Sequence, residues 1–305
     1  MISKFRIGAL VIILNFFASV AMIWGQDNPS LLQMAVPSLN IAPDARGGGM
    51  GDMGAATLPD INSQYWNAAK YAFMGSKAGV SLSYTPWLRK LVNDVALVNM
   101  TGYYKLGNSD LQAISASLRY FSLGEVNIWE NIGDVPYGLN PYEMAFDVAY
   151  SRKLSESYSM AVTLRYIRSD MGTDQNDESN AGNAFSADIS GYLEKYVLMG
   201  NAEALWSFGF NLSNIGSKIS YDGGNTNQYL PAKLTLGTGL LYPIDDYNQI
   251  GVYLDLNKYM VPYAPQKEEG ETDADYQTRV DDYKSWSSLS GMLKSFTDSP
   301  NGLLK

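Results

Sequence analysis

The chain has 305 residues, a formal net charge of −9 and a sequence pI of about 4.6, and it contains neither cysteine nor histidine. The acidic balance argues against a nucleic-acid partner, since phosphate binding needs a basic surface. Without these two residue types the sequence excludes disulfides, thiol nucleophiles, histidine-dependent triads and the usual zinc sites. No cofactor is therefore predicted.

Residues 1–25 are predicted to be a secretory signal peptide. Lys4 and Arg6 form a basic start, an apolar run over 7–20 follows, and cleavage is expected after Gly25. The alternative is an uncleaved anchor, but the run is short for a spanning helix and is interrupted by polar residues. No cysteine follows the run, so a lipoprotein anchor is excluded.

The Gly-rich stretch 40–74 precedes the first strand-like run and is predicted to be a plug inside a barrel. A barrel whose lumen is too wide for its own side chains is filled by another segment. Small residues let a backbone fold tightly in a narrow space. A flexible linker is the alternative interpretation. The residues predicted to build this hatch are Gly47, Gly49, Gly51, Gly54, Trp66 and Asn67.

From residue 78 onwards, apolar and polar residues alternate as they do on strands with one apolar face. In the clearest pair, 142–151 and 158–167, Tyr stands at both ends of the apolar row with Met, Phe, Val or Leu between. That order is typical of a lipid-facing strand. A half-buried soluble strand alternates too, but runs of about ten residues have the length of a tilted membrane strand. About nine strands are predicted, over 78–85, 92–105, 112–120, 142–151, 158–167, 185–193, 204–213, 230–240 and 249–256.

The connections between these runs are alternately short and long. They are short near Gly107, Ser155, Met199 and Asp245, and long and polar over 123–141, 169–182, 215–229 and after Asn257. Short periplasmic turns and long extracellular loops characterise outer-membrane barrels. This parity places the hatch and the N-terminus on the periplasmic side.

The polar faces of the strands are expected to line the lumen. They carry both signs of charge, which favours a paired network that holds the plug over an ion-selective lining. The charged residues concerned are Asp147, Asp188, Asp255, Arg119, Arg165 and Lys233.

After residue 257 the alternation stops. Residues 261–284, which contain the acidic run 267–284, are predicted to be a solvated extracellular loop. Apolar residues at helical spacing over 286–296 predict a short amphipathic helix. Because an open sheet edge is not tolerated in lipid, the sequence is expected to be cut short before barrel closure. The predicted boundaries are 1–25 for the signal peptide, 26–76 for the periplasmic segment and hatch, 77–257 for the barrel strands, and 258–305 for the loop and helix.

Three motif-like strings carry no predicted chemistry. Residues 49–54 match GxGxxG, but no strand precedes them, so dinucleotide binding is rejected. The acidic residues of 174–178 lack the glycine and the terminal Glu of a calcium loop. The side chains of the adjacent acidic pairs 245–246 and 281–282 diverge, so they form no acid/base pair. No catalytic or metal site is predicted.

Several strings spread over the mature chain are distinctive. They are APDAR at 42–46, GMGD at 49–52, PDINSQYWNAAKY at 59–71, GVSLSYTPWL at 79–88, LVND at 91–94, NLSNIG at 211–216 and YLPAKL at 229–234. In these strings the chain resembles the PorV-type proteins of the type IX secretion system.

The resemblance implies an all-β, antiparallel transmembrane outer-membrane β-barrel, FadL-like, with 14 strands and an N-terminal hatch. The FadL-type hatch carries Asn-Pro-Ala where this chain has Asn67-Ala68-Ala69, so an intact lipid-gating hatch is not implied. PorV-type proteins are not enzymes. They receive secreted cargo by its C-terminal sorting domain at the translocon barrel, and carry it to the sortase complex at the surface of Bacteroidota-type bacteria. The implied location is the cell outer membrane, with membrane lipids as further partners.

On this hypothesis the extracellular loops bind cargo, because exposed aromatic residues anchor interfaces. Packing at the barrel rim is the alternative role for each such residue. Two other functions remain open: a transporter of hydrophobic small molecules, with an apolar pocket beside the hatch, and a structural pore that conducts ions. The candidate cargo contacts are Trp129, Tyr137, Tyr142, Trp286, Leu289 and Phe296.

Overall fold

The computed structural model describes residues 32–87, 89–90, 92, 94–107, 110–129, 135–172, 181–200, 202–224, 226–268 and 270–297. The predicted signal peptide and the acidic residues of 174–178 lie outside these ranges. The side chain of Tyr137 is likewise outside the description.

Nine antiparallel strands form one meandering sheet, as the alternation predicts. Each strand pairs with the preceding and following strand of the sheet, in the order β1-β2-β3-β6-β7-β8-β9-β10-β11. Within the described ranges β1 and β11 are edges and the sheet is not closed, so closure into a barrel is not shown. The strands are β1 (Ala78–Pro86), β2 (Val95–Leu106), β3 (Gln112–Leu123), β6 (Tyr142–Lys153), β7 (Tyr158–Asp170), β8 (Gly182–Met199), β9 (Ala202–Gly216), β10 (Lys233–Pro243) and β11 (Gln249–Tyr259).

The two faces of this sheet reverse the usual arrangement of a soluble protein. The outer face exposes apolar side chains, among them Leu82, Leu164 and Phe185, which are 72%, 66% and 68% exposed. The opposite face buries serine, threonine, aspartate and arginine side chains. A contiguous exposed apolar surface of this kind marks contact with a membrane or a protein, and the apolar rows are those that the alternation assigned to lipid.

The long connections contain structure that the sequence analysis missed. A small two-stranded sheet, β4 (Val126–Ile128) with β5 (Tyr137–Leu139), extends between β3 and β6. The acidic run is not an irregular loop but contains a helix, α3 (Asp273–Ser285). The Thr272 side chain accepts a hydrogen bond from the Asp275 N–H and so caps α3.

A second helix, α4 (Ser288–Lys294), lies within the range predicted to be helical. The strand predicted to start at residue 230 starts at Lys233. Leu230 and Ala232 are apolar because they are buried in the preceding connection, not because they belong to the alternation. Among the described residues, none of the helices combines the length and the apolarity needed to cross a membrane.

The hatch segment, residues 32–76, packs on the polar face of the sheet, which we call the hatch face. It contains two 3-10 helices, Pro37–Asn40 and Ala68–Phe73, and two short α-helices, α1 (Ala45–Gly49) and α2 (Ser63–Trp66). Its side chains and backbone contact both edge strands and the strands between them. The sheet therefore curves around this segment.

The path of the hatch segment differs from the parity expectation. Met34 bridges to Tyr229, and the Ala35 N–H donates to the Tyr229 carbonyl at 2.9 Å, so the described chain begins at the end of the sheet with the long connections. It leaves at the other end, where the Lys105 ammonium donates to the Met74 carbonyl at 2.7 Å. The alternation of short and long connections fixes only the end of the sheet at which β1 begins. It carries no information about the path of a segment that precedes β1 and runs along the sheet.

Candidate functional site: the hatch and the long-connection end

The indole of Trp66 is the centre of the hatch segment. A Cβ on Gly47 or on Gly54 would overlap its ring, so only glycine allows this approach. Gly51 is required for a different reason, because its φ of +80° is unfavourable for other residues. A Cβ on Gly49 would meet nothing within 4 Å. Three of the four predicted hatch glycines therefore occupy positions that need glycine, two for lack of space and one for its backbone conformation.

Asp44 fixes the orientation of this indole. One carboxylate oxygen accepts from the Gly47 N–H at 2.8 Å, which caps the first turn of α1, and the other accepts from Trp66 Nε1 at 2.8 Å. A single buried carboxylate thus joins a helix start to a side chain 22 residues further along.

Asn67, another predicted hatch residue, is fully buried and uses both ends of its amide. Its Nδ2 donates to the Ala55 carbonyl and to the Gly191 carbonyl of β8, each at 2.9 Å. Its Oδ1 accepts from the Ala69 N–H and so caps the second 3-10 helix. An alanine here would leave two buried carbonyls and one amide without partners, so the asparagine is explained by structure alone.

Polar side chains of the strands attach the hatch segment across almost the whole sheet. Most of these bonds run from a serine hydroxyl or a charged group to the hatch backbone, which makes them independent of the hatch side chains. They are Ser83 to Pro43 (2.6 Å), Ser159 to Ala69 (2.7 Å), Ser207 to Ala56 (2.7 Å), Arg119 to Ser38 (2.7 Å), Glu143 from the Ser38 N–H (3.0 Å), and Ser115 to the Gln64 side chain (2.5 Å).

Asp255 of β11 holds the tightest turn of the hatch. Its Oδ2 accepts from the Gly54 N–H at 2.9 Å and from the Ala55 N–H at 3.0 Å. On β9, which is separated from β11 by β10, a Cβ at Gly209 would overlap the Ala55 carbonyl. A glycine in β9 therefore lets the hatch backbone approach the sheet directly.

Three of the six residues of the predicted charge network pair with one another, and Arg165 is at their centre. Its guanidinium contacts Asp147 at 2.6 Å and Asp188 at 2.9 Å, and all three side chains are buried. Asn214 completes the group: its N–H donates to Asp188 at 2.7 Å and its side-chain oxygen accepts from Arg165. The positive φ of Asn214 (58°) and the register shift opposite it form a β-bulge that turns this residue inwards.

Lys70 is the only lysine in the sequence of the hatch segment, and it is completely buried. Its ammonium donates to the Gly54 carbonyl at 2.8 Å and to the Thr57 hydroxyl at 3.1 Å, both of which are neutral acceptors. Burial is the largest cause that lowers its pKa, from 10.5 to about 8, and the more distant Asp60 opposes the shift. The sequence gives no sign of this, because a lysine beside alanines and tyrosines usually faces solvent.

Little free space remains between the hatch and the sheet. The cavity there has a volume of about 30 Å³ and a polar lining that includes Tyr65, Arg119, Arg165 and Asp255. A water molecule needs about 10–15 Å³, so the cavity has room for water but is far below the size of a ligand pocket. No three acidic side chains come together as a metal site in the described part of the chain.

The predicted cargo contacts lie at the long-connection end but differ in accessibility. Trp129 follows β4 and is 59% exposed, and Leu289 on α4 is 63% exposed. Tyr142 is half-buried and stacks on Tyr120 with ring centroids 5.4 Å apart. Leu293, one turn after Leu289 and within the predicted helix 286–296, is 65% exposed.

The other aromatic candidates on this surface are partly used in packing. Trp286 lies edge-on to Tyr283, with Lys294 3.5 Å from its ring centre. Phe296 packs against the cluster around Met292. Of the five candidates whose side chains are described, Trp129 and Leu289 are therefore the ones that present most of their side chain to solvent.

Of the strand residues that hold the hatch, Asp255 and Arg119 belong to the predicted charged network. The serines were not identifiable as such from the sequence, because a polar position of the alternation is the only signal that Ser83, Ser159 and Ser207 carry. The partners of all these residues lie tens to two hundred residues away, as in the bond of Ala55 to Asp255.

No curated protein matches the chain. The family model of the type IX secretion system protein PorV matches residues 25–267, which include the hatch segment and all nine strands of the sheet. The chain therefore belongs to the PorV family of type IX secretion system proteins.

Proposed function

We propose that this protein is an outer-membrane carrier of type IX secretion. It binds the C-terminal sorting domain of secreted cargo and shuttles it from the translocon barrel to the surface sortase complex. The family assigns a role in type IX secretion, and PorV is a secretion-system component rather than a known enzyme family. The shuttle, its partners and its place in the outer membrane are the proposal.

The filled hatch face is the observation that supports it best. With about 30 Å³ left beside the hatch, neither a folded domain nor an extended chain passes there. Cargo is then bound at an end of the sheet. The long-connection end offers exposed apolar anchors, Trp129, Leu289 and Leu293, and such residues dominate the energetics of interfaces.

The same cavity argues against the alternative of a FadL-like transporter. An acyl chain needs an apolar pocket of several hundred cubic ångströms, whereas the cavity beside the hatch is small and lined by charged and amide side chains. An apolar depression of about 680 Å³ does exist, but exposed residues such as Val80, Ile114 and Phe146 line it, so it lies on the outer apolar face and not beside the hatch. A structural pore fits the filled hatch face no better.

Site-specific photo-crosslinking in outer membranes tests the shuttle. A crosslinker at Leu289 or Trp129 of the full-length protein is expected to capture secreted proteins that share a C-terminal β-domain. The control position is Tyr247, which is more exposed (94%) but lies in the short turn between β10 and β11. Equal capture at Tyr247 contradicts the assignment to the long-connection end. Capture of no protein, with co-purified lipid instead, favours the transporter.

A double variant of α4 tests by cargo recovery whether its exposed leucines bind cargo. Leu289→Ser with Leu293→Ser removes the apolar stripe of α4 without touching its buried residue Met292. Cargo recovery is expected to fall at least fivefold at unchanged protein level. Unchanged recovery assigns these leucines to another contact.

A further inference from the structure

The cavity between the hatch segment and strands β3, β6, β7 and β9–β11 contains two buried polar groups that lack partners. Asn211 lines it and is 6% exposed, and its Oδ1 has no hydrogen-bond partner among the described residues. Asp255 lines it too, and its Oδ1 is buried without a partner, although its Oδ2 accepts two N–H groups of the hatch. A buried acceptor without a donor costs about 1–3 kcal/mol. Two such oxygens at one small cavity therefore point to a donor bound between them.

The size and charge of the cavity identify that donor. Its volume of about 30 Å³ is enough for water, which needs about 10–15 Å³, and too small for an organic ligand. The lining contains three acidic residues (Asp52, Asp147 and Asp255) and three basic ones (Arg119, Arg165 and Lys233), so it has no excess charge to attract an ion. A water molecule donates two hydrogen bonds, and Lys233 supplies a cationic donor for its oxygen.

We infer that this cavity is a binding site for a single water molecule that joins the hatch to the last strands of the sheet. The water donates to Asn211 Oδ1 of β9 and to Asp255 Oδ1 of β11, and accepts from Lys233 of β10. It thereby holds the Asp255 carboxylate in the orientation that accepts the Gly54 and Ala55 amides. The water is part of the hatch attachment and independent of cargo.

A density map of the full-length protein that orders internal water tests the site. One peak is expected within hydrogen-bond distance, about 2.7–3.2 Å, of both acceptor oxygens. A direct contact between Lys233 Nζ and Asp255 Oδ1 with no peak overturns the inference, because the lysine then satisfies the carboxylate by itself. A peak with five or six oxygen ligands also overturns it, because a cation occupies the site.

Hydrogen exchange provides a second readout. Asn211→Leu removes one acceptor and is expected to accelerate exchange at the Gly54 and Ala55 amides about threefold to tenfold, as loss of one net hydrogen bond requires. Asn211→Gln retains an amide acceptor without adding a charge and is expected to stay nearer the wild-type rate than Asn211→Leu. Asn99→Leu is the control, since Asn99 is equally buried but does not line the cavity. Equal acceleration by both leucine variants shows general loosening and contradicts the water site.

Discussion

At the scale of single residues, the hatch segment combines a large ring with glycines that have no room for a side chain. Trp66 lies directly on Gly47 and Gly54, and Asp44 holds its indole nitrogen. Close packing of this kind tolerates almost no added volume. The hatch is therefore a specific packing unit and not the flexible linker that its glycine content allows.

Gly54→Val tests this packing. Its Cβ would overlap the Trp66 ring, so we expect a loss of about 1–3 kcal/mol in the free energy of unfolding. Urea titration in detergent, followed by tryptophan fluorescence, measures the change. Gly49→Ala is the matched control, because the added methyl group meets nothing and the residue is helical. An equal loss in both variants refutes a specific role for the ring.

Lys70 makes stability depend on pH. In the unfolded chain its pKa is the ordinary 10.5, whereas in the folded protein it is about 8. Between these values the unfolded state binds more protons, so the free energy of unfolding rises with pH. We expect a gain of roughly 2 kcal/mol between pH 7 and 9.5, since one pKa unit corresponds to 1.36 kcal/mol. The variant Lys70→Met should lack this slope in the same urea titrations, and a flat wild-type profile would show that the folded lysine keeps its ordinary pKa.

At the scale of elements, the Arg165 network joins four strands. Asp147 lies on β6, Arg165 on β7, Asp188 on β8 and Asn214 on β9. A buried ion pair adds little net stability when it is intact, but removal of one partner leaves an uncompensated charge. The network therefore sets the relative position of these strands more than it adds to their stability.

Arg165→Met isolates that effect. It leaves two buried carboxylates without their cation, and we expect a loss of about 3–5 kcal/mol. Arg168→Met is the control three residues along the same strand, where the guanidinium is partly exposed and bonded to the Tyr142 hydroxyl. Its expected cost is much smaller, because an exposed ion pair contributes little to stability. Similar losses in the two variants contradict the central role of Arg165.

The elements also show where sequence patterns suffice. Nine strands follow from the period of two, because each strand places its own residues alternately on two faces. Hydrophobic periodicity does not predict helix α3, because the helix has no apolar stripe and none of its residues is buried. It depends on the Thr272 cap and on Arg279, which pairs with Glu268 and Glu271.

At the scale of the whole molecule, long-range pairing is what the sequence could not supply. The alternation indicated that Asp255 faces the hatch, but not that it binds Gly54 and Ala55. It indicated where β1 begins, but not that the hatch segment starts beside Tyr229 at the opposite end. Such contacts depend on how the sheet curves, and no local pattern encodes that.

A pair of variants on the exposed apolar face tests whether this face contacts lipid. Leu164 in the middle of β7 and Leu154 in the turn before it are 66% and 59% exposed, so in water an arginine is tolerated at both. In a bilayer the two sites differ, because a charge near the middle of the hydrocarbon costs about 2–4 kcal/mol and one at the interface about 0–1 kcal/mol. We expect Leu164→Arg to lower the stability of the folded protein in vesicles by that larger amount and Leu154→Arg to leave it nearly unchanged. Reversible urea titration of the full-length protein in vesicles measures both. Equal, small effects would mean that this face does not contact lipid.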